Sequence, residues 1–216
     1  LVGGIDTKSP ELANEFYSIF CAEIVLTESP EVAEAAKLLE NTFRLVNIAL
    51  LNELNKVFSL NGIDTNAVVD AASTKPYGYM PFRSGVGIGG HCIPVDPSYL
   101  SFAAENAGID ASFIDLANEI NLEMPSYVAN RIANEVGGLK DKNVLVAGIS
   151  YKANVSDLRE SPSLLLIDAL KVLGAEVRWH DPLVSSHQGQ KSAEIDSHDV
   201  AILAVAHDAI DKESLK

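Results

Sequence analysis

The chain is short of cysteine, short of positive charge, and without a long apolar run. Its two cysteines, Cys21 and Cys92, are too few for a disulfide framework or a four-ligand zinc site, which agrees with a reducing compartment. Cys21 lies on an apolar stretch and is expected in a core, a frequent place for a free thiol. Lysine and arginine number 16 against 30 aspartates and glutamates, a formal net charge of -14. Nucleic-acid binders spend basic residues on a positive footprint, so DNA and RNA are excluded as expected partners. The same acidity repels anionic ligands at long range, so a phosphate-bearing substrate has to be captured by a few placed cations. No apolar segment approaches the roughly 18 residues of a membrane span. The opening Leu1-Val2-Gly3-Gly4 lacks the basic and apolar regions of a secretion signal. Together these point to a cytoplasmic protein with no membrane partner. No methionine opens the chain, which predicts a fragment boundary there.

What is present is a hydrophobic fraction of 47% over 216 residues, enough to bury a core in one or two domains. Ser9 as N-cap and Pro10 at the first helical position predict a helix to Phe20, followed by a short strand over 22–27. Ser29-Pro30-Glu31 opens a helix of about thirty residues that ends near Asn61-Gly62. Asp64–Ala72 reads as a second helix, and Thr74–Pro97 as an irregular loop rich in glycine and proline. Ser98–Ala107, Phe113–Leu122 and Pro125–Val136 are expected as further helices. From Asn143 the pattern changes to a βαβ unit: a buried strand over 144–149, a helix from Ser161-Pro162 to Gly174, and a strand over 175–180. A third apolar strand of parallel-sheet type is expected over 200–205, with a loose polar stretch at Ser185–Ser192. The fold class is α/β: a helical middle followed by a small doubly wound parallel sheet.

Chemistry concentrates in Gly89-Gly90-His91-Cys92-Ile93-Pro94-Val95-Asp96-Pro97. Glycines let a ligand approach the backbone, the prolines keep the segment out of a helix or central strand, and a thiol is offered four residues before a carboxylate. A free thiol is only a few per cent thiolate at neutral pH, so a catalytic one needs a cation, helix N-terminus or base nearby. With no second clustered ligand, His91 gives no metal site. Gly85, Gly87 and Gly90 match G-x-G-x-x-G literally but lack the strand before and helix after that the dinucleotide fingerprint needs. On the long helix, Lys37, Asn41, Arg44, Ile48 and Asn52 fall along one side. They form either a solvated face or, for Lys37 and Asn41, a pair able to stabilise an oxyanion. Lys152 and Arg159 are candidate phosphate contacts, with Arg159 alternatively pairing with Asp157 or Glu160. His180-Asp181-Pro182 is expected as a turn at a strand end, near where a nucleotide base sits.

Three motifs together carry a resemblance: Glu34–Thr42 with Asn52-Glu53-Leu54, the Cys92 segment, and Gly148-Ile149-Ser150-Tyr151-Lys152 with Asp157–Pro162. In order and spacing they resemble the central and C-terminal domains of the UDP-glucose/GDP-mannose dehydrogenase family. His91 and Val95-Asp96-Pro97 look more like its UDP-N-acetylhexosamine branch than its UDP-glucose branch, and Lys75–Phe82 tilts the reading toward UDP-N-acetylglucosamine over UDP-N-acetylmannosamine. The resemblance implies residues 1–27 as the end of an NAD-binding domain, 28–124 as a helical dimerisation and catalytic domain, and 125–216 as a truncated UDP-binding Rossmann-like domain.

The activity so implied is the oxidation of a sugar C6 alcohol to a carboxylate with two NAD molecules, on a homodimer joined through the long helix. Cys92 would form a thiohemiacetal and then a thioester, Lys37 and Asn41 would hold the oxyanion, and Asp96 would position or deprotonate water. Phe82, Arg83, Gly85 and Gly89 would belong to the sugar-binding loop, Lys152 would contact UDP, and Arg159 the cofactor. The family's N-terminal NAD-binding domain is expected before Leu1, so the piece alone is expected to be inactive. The arginine that glucose-type members lend to the partner subunit's site has no evident counterpart unless Lys75 or Arg83 replaces it, and Val95 stands where that branch has lysine. Two other classes remain open: a thiol hydrolase pairing Cys92 with His180, His187, His198 or His207, and a dimerisation and UDP-binding module without activity.

Overall fold

The computed structural model describes residues 1–215. The chain opens with β1 (Val2–Gly3), α1 (Ser9–Tyr17) and β2 (Leu26–Thr27), and β1 and β2 pair in parallel. The backbone N–H groups of Lys8 and Ser9 both donate to the Asp6 carboxylate at 2.9 and 2.7 Å, so α1 begins at Ser9 with Asp6, rather than Ser9, satisfying its first donors. α1 buries no residue, and Cys21 beyond it is exposed. The expectation of a core cysteine is thus corrected: α1 touches β1 but neither hydrophobic core.

Next comes α2 (Pro30–Leu60), 31 residues long and so about 46 Å at the usual rise. Ser29 caps it as the sequence predicts, its hydroxyl accepting from the Val32 N–H. α3 (Thr65–Ala72), capped by Asp64, precedes a segment without regular structure until α4 (Asp96–Asn106). α4 starts two residues earlier than expected, because proline is tolerated in a first turn where its missing N–H has no partner to lose. Asp96 therefore sits at a helix N-terminus.

α5 (Ser112–Glu135) runs unbroken through Pro125, where the sequence predicted two helices. A proline inside a helix removes one N–H bond and crowds one carbonyl; here Pro125 is itself buried, and packing along both halves holds the rod. One half of α5 places Ile114, Ala117 and Ile120 with Leu45 and Ala49 of α2 in a first core. The other half places Val128, Ala129, Ile132 and Ala133 in a second, larger core. α5 is the shared beam.

The second core is built on β3 (Asn143–Ala147), α6 (Pro162–Val172), β4 (Glu176–His180), the hairpin β5 (Ser186–His187) and β6 (Gln190–Lys191), and β7 (Val200–Leu203). β3 lies between β4 and β7 in a three-stranded parallel sheet. Val144 and Val146 face α6, while Leu145, on the opposite side of the pleat, is also fully buried. Each such side chain withdrawn from water contributes about 1.5–3 kcal/mol. The loose stretch at 185–192 is in fact a small hairpin, and β2 and β7 are shorter than the runs that predicted them.

Candidate functional site

The Cys92 loop is gripped from two sides. Ile88 and Ile93, flanking the thiol, pack against Leu45, Ala49 and Ala117 between α2 and α5. The Cys92 carbonyl accepts from the N–H groups of Val95 and Asp96 at 3.2 and 2.7 Å, so the turn closes directly into α4. On the α2 side, buried Asn41 donates its amide to Asp96 Oδ2 at 2.5 Å. This brings together two of the residues expected at the site and fixes the carboxylate in the turn that bears the thiol.

The other grip comes from the sheet unit. Gly90 N–H donates to the Arg159 carbonyl at 3.0 Å. A Cβ on Gly89 would stand 2.7 Å from the Glu160 carbonyl and 2.8 Å from Pro162 Cδ and Tyr151 Cβ, and Gly90, at φ +89°, lies under the Tyr151 ring. Only glycine permits both the approach and the backbone angle. The loop's two glycines are thus explained by its contact with the segment between β3 and α6.

That segment also carries Arg159, a cation whose backbone the thiol loop touches. Arg159 donates to Asp157 at 2.6–3.1 Å. Those bonds push the Asp157 carboxyl down to about 2, with a smaller effect of His91. Asp157 in turn raises the Arg159 guanidinium above its ordinary value, with lesser contributions from Tyr151 and Cys92. The Arg159 side chain stays 61% exposed. The alternative pairing of Arg159 with Asp157 is what the structure shows.

The polar stripe of α2 divides. Asn41 and Asn52 are buried, so the solvated-face reading fails for them. Lys37 and Arg44 are exposed and both pair with Glu40, whose carboxyl they draw down to about 2. Lys37 lies one turn before Asn41, but its ammonium is held toward Glu40 rather than by a described bond at Cys92. Asn52 does something the stripe alone did not reveal. Its Oδ1 accepts from Gly85 N–H at 2.9 Å and its amide donates to buried Asn121 at 2.9 Å, anchoring the glycine loop to both long helices. Tyr151, too, was not singled out; the need of two adjacent glycines for a close neighbour was its signal.

The remaining candidates scatter around this centre. Phe82 packs edge-on against Phe43 of α2 at 5.7 Å. Arg83 pairs with Asp70 and with Asn66 of α3. Gly85 leaves open space around it. Lys152 is exposed, its ammonium 5.4 Å from the Tyr151 ring centre. Of the histidines weighed as bases, His180 bonds the Ala193 carbonyl, His198 the Asp196 carbonyl and His207 the Asp181 carboxylate, all away from the thiol loop. The glycines at 85, 87 and 90 follow no strand and open no helix, so they do not form a dinucleotide cradle.

Comparison with known proteins agrees with this layout. Residues 31–123 match the central domain of the UDP-glucose/GDP-mannose dehydrogenase family, and residues 145–216 match that family's UDP binding domain. The chain is 40% identical over 87% of its length to a UDP-N-acetyl-D-mannosamine dehydrogenase of Methanococcus vannielii, covering 43% of that protein. It is 36% identical over 96% of its length to a UDP-N-acetyl-D-glucosamine 6-dehydrogenase of Pseudomonas aeruginosa, covering 52% of it. The solved UDP-glucose dehydrogenase of Pyrobaculum islandicum superposes with a TM-score of 0.86 at 27% identity, over 95% of this chain and 50% of that one. The chain therefore spans about half the length of the relatives it matches. With both family domains matched in order along one continuous fold, it belongs to the UDP-glucose/GDP-mannose dehydrogenase family.

Proposed function

We propose that the protein of which this chain forms part oxidises the C6 alcohol of a UDP-N-acetylhexosamine to the carboxylate, with Cys92 as nucleophile. The observation that carries the reading is the double grip on the Cys92 turn: Asn41 to Asp96 from one side, Arg159 to Gly90 from the other. NAD, when bound, supplies the acceptor for one hydride, so two molecules in succession would take the two that leave C6. Among the described residues it fits one holding point, the Arg159 guanidinium, which is exposed and beside the thiol loop.

After the alcohol has lost a hydride and a proton, the Cys92 thiolate adds to the aldehyde carbon and forms a C–S bond. The carbonyl oxygen becomes the oxyanion of a thiohemiacetal, from which the second hydride can leave directly. The Asn41 amide faces this developing charge, and Lys37, one turn away, joins it once released from Glu40. Loss of the second hydride leaves a thioester at Cys92. Asp96 then takes a proton from water, which attacks the thioester carbonyl; the C–S bond breaks, the carboxylate leaves, and the thiolate returns.

Lys152 would pair with the diphosphate, with Gly85, Gly89, Phe82 and Arg83 shaping the sugar side. Exposed Leu39, Phe43, Leu50 and Val57 on α2 support self-association along that helix, since isolated monomers seldom leave such a stripe in water. The test is NADH formation by the complete natural polypeptide with UDP-N-acetylglucosamine, UDP-N-acetylmannosamine and UDP-glucose. Two NADH per acetylated sugar, lost on Cys92→Ala, is the expected result; turnover that survives Cys92→Ala overturns it.

A further inference from the structure

The loop that carries Lys152 stands on one buried polar network. Asp181, just beyond β4, is 2% exposed, and His207 is fully buried. Asp181 Oδ2 accepts from the backbone N–H groups of Ile149 and Ser150 at 2.8 and 3.3 Å, and from the Ser150 hydroxyl at 3.1 Å. The same oxygen lies 3.2 Å from His207 Nε2. On the far side of the ring, Asn154 N–H donates to His207 Nδ1 at 2.9 Å.

A ring nitrogen that accepts from a backbone N–H bears no proton, so the imidazole proton is on Nε2 and points at the carboxylate. The bond from Asn154 thus requires the neutral tautomer of His207. Asn154, at φ +63°, is clamped further by reciprocal bonds with Asp208: its amide donates to Asp208 Oδ2 at 2.9 Å, and Asp208 N–H donates to its Oδ1 at 3.0 Å. Residues 150–154 form an arch with one foot on Asp181 and the other on His207 and Asp208. Lys152 is its crown, above the Tyr151 ring that also covers Gly90.

We propose that neutral His207 is the positioning residue that sets the Lys152 arch for the diphosphate of a nucleotide sugar, and that protonating it releases the arch. This rests on the reading of Lys152 as a UDP contact. A proton on Nδ1 would face the Asn154 N–H donor to donor, ending that bond. Asp181 from the end of β4 and Asp208 in the same segment favour the imidazolium, while the Asn154 N–H and the Lys152 ammonium in the arch oppose it.

The experiment compares His207→Gln, whose amide can accept from Asn154 and donate to Asp181 but cannot take up a proton, with His207→Leu, which can do neither. Both are made in the complete natural polypeptide. The probe is UDP-N-acetylglucosamine, whose diphosphate is a diester and lacks the terminal phosphate ionisation near pH 6. Calorimetry from pH 8 to pH 5.5 should show wild-type affinity falling about tenfold, the scale of one well-placed hydrogen bond. H207Q should bind at pH 8 within about twofold of wild type and lose the acid fall; H207L should bind about tenfold more weakly at pH 8. Amide exchange should rise at Asn154 in H207L and not along β3. Wild-type affinity in H207L, or an acid fall kept in H207Q, overturns the proposal; if H207L does not fold, the H207Q profile decides alone. If wild type binds no nucleotide sugar, the reading of Lys152 falls, and equal exchange at Asn154 in wild type and H207Q at pH 5.5 separately overturns the role of His207.

Discussion

The amide of Asn41 reaches the carboxylate of Asp96 at 2.5 Å across 55 residues of sequence, joining the middle of the long helix to the first residue of the helix that follows the thiol. Because Asp96 N–H also donates to the Cys92 carbonyl, whatever fixes Asn41 fixes the sulfur's turn. Asn41→Asp would set two carboxylates against each other there. It is expected to lower kcat of the full polypeptide by about 10²–10³-fold, the usual loss when one oxyanion donor is removed. KM for the nucleotide sugar should change little. Steady-state kinetics of NADH formation checks both numbers.

A Cβ on Gly89 would meet the Glu160 carbonyl, the Pro162 ring and the Tyr151 Cβ, none of which moves by side-chain rotation, so a methyl group cannot be absorbed. Gly89→Ala is expected to cost about 1–3 kcal/mol of stability, as overpacking does, and to detach the thiol loop from the Arg159 segment. Urea unfolding measures the first effect, and iodoacetamide labelling of Cys92 the second, with an altered labelling rate expected as the loop leaves its seat.

Lys37→Ala separates the dehydrogenase from a Cys–His hydrolase. Both Lys37 and Glu40 are exposed, so the melting temperature should stay unchanged. NADH formation should nevertheless fall at least tenfold, since the ammonium adds to the oxyanion's stabilisation. A thiol hydrolase would be indifferent to the change.

Asp181 sets an acid limit on stability. Burial pushes its carboxyl up, but the N–H groups of Ile149 and Leu183, the neighbouring His207 ring and the Ser150 hydroxyl together hold it below the ordinary value. A depressed folded-state pKa contributes stability that is complete above the unfolded value and disappears as pH falls through the folded one. The unfolding free energy should therefore hold from neutrality to about pH 5 and decline below the ordinary carboxylate range. Asp181→Asn, which leaves buried donors unmatched, should lower stability at pH 7 by about 1–3 kcal/mol and flatten that decline. Urea unfolding as a function of pH tests the sign.

Much of this architecture was legible because local signals and global packing agree. Ser29-Pro30-Glu31 announces α2, and the Val144–Ala147 run announces a central parallel strand. Cys92 and Asp96 were legible as a pair from their types and spacing, whereas the meeting of Asn41 with them was implied only by the family resemblance. What was hidden depends on tertiary contacts. Pro125 looks like a helix start, but two cores along α5 override that preference. Cys21 looks like a core residue only while its neighbours are unknown. The resemblance makes Arg159 a cofactor contact, and nothing in its spacing tells that Gly90 binds its carbonyl and seats the thiol loop against its segment. Asn52 was visible in a stripe, but its bonds to Gly85 and Asn121 require three segments to meet.

The most direct test of Cys92 as nucleophile is intact-protein mass spectrometry of the complete polypeptide after mixing with NAD and UDP-N-acetylhexosamine, using Asp96→Asn to slow thioester hydrolysis. A nucleotide-sugar acyl adduct that maps to Cys92 and is released by hydroxylamine is the predicted result. Continued turnover by Cys92→Ser with no adduct on the wild-type chain would contradict it.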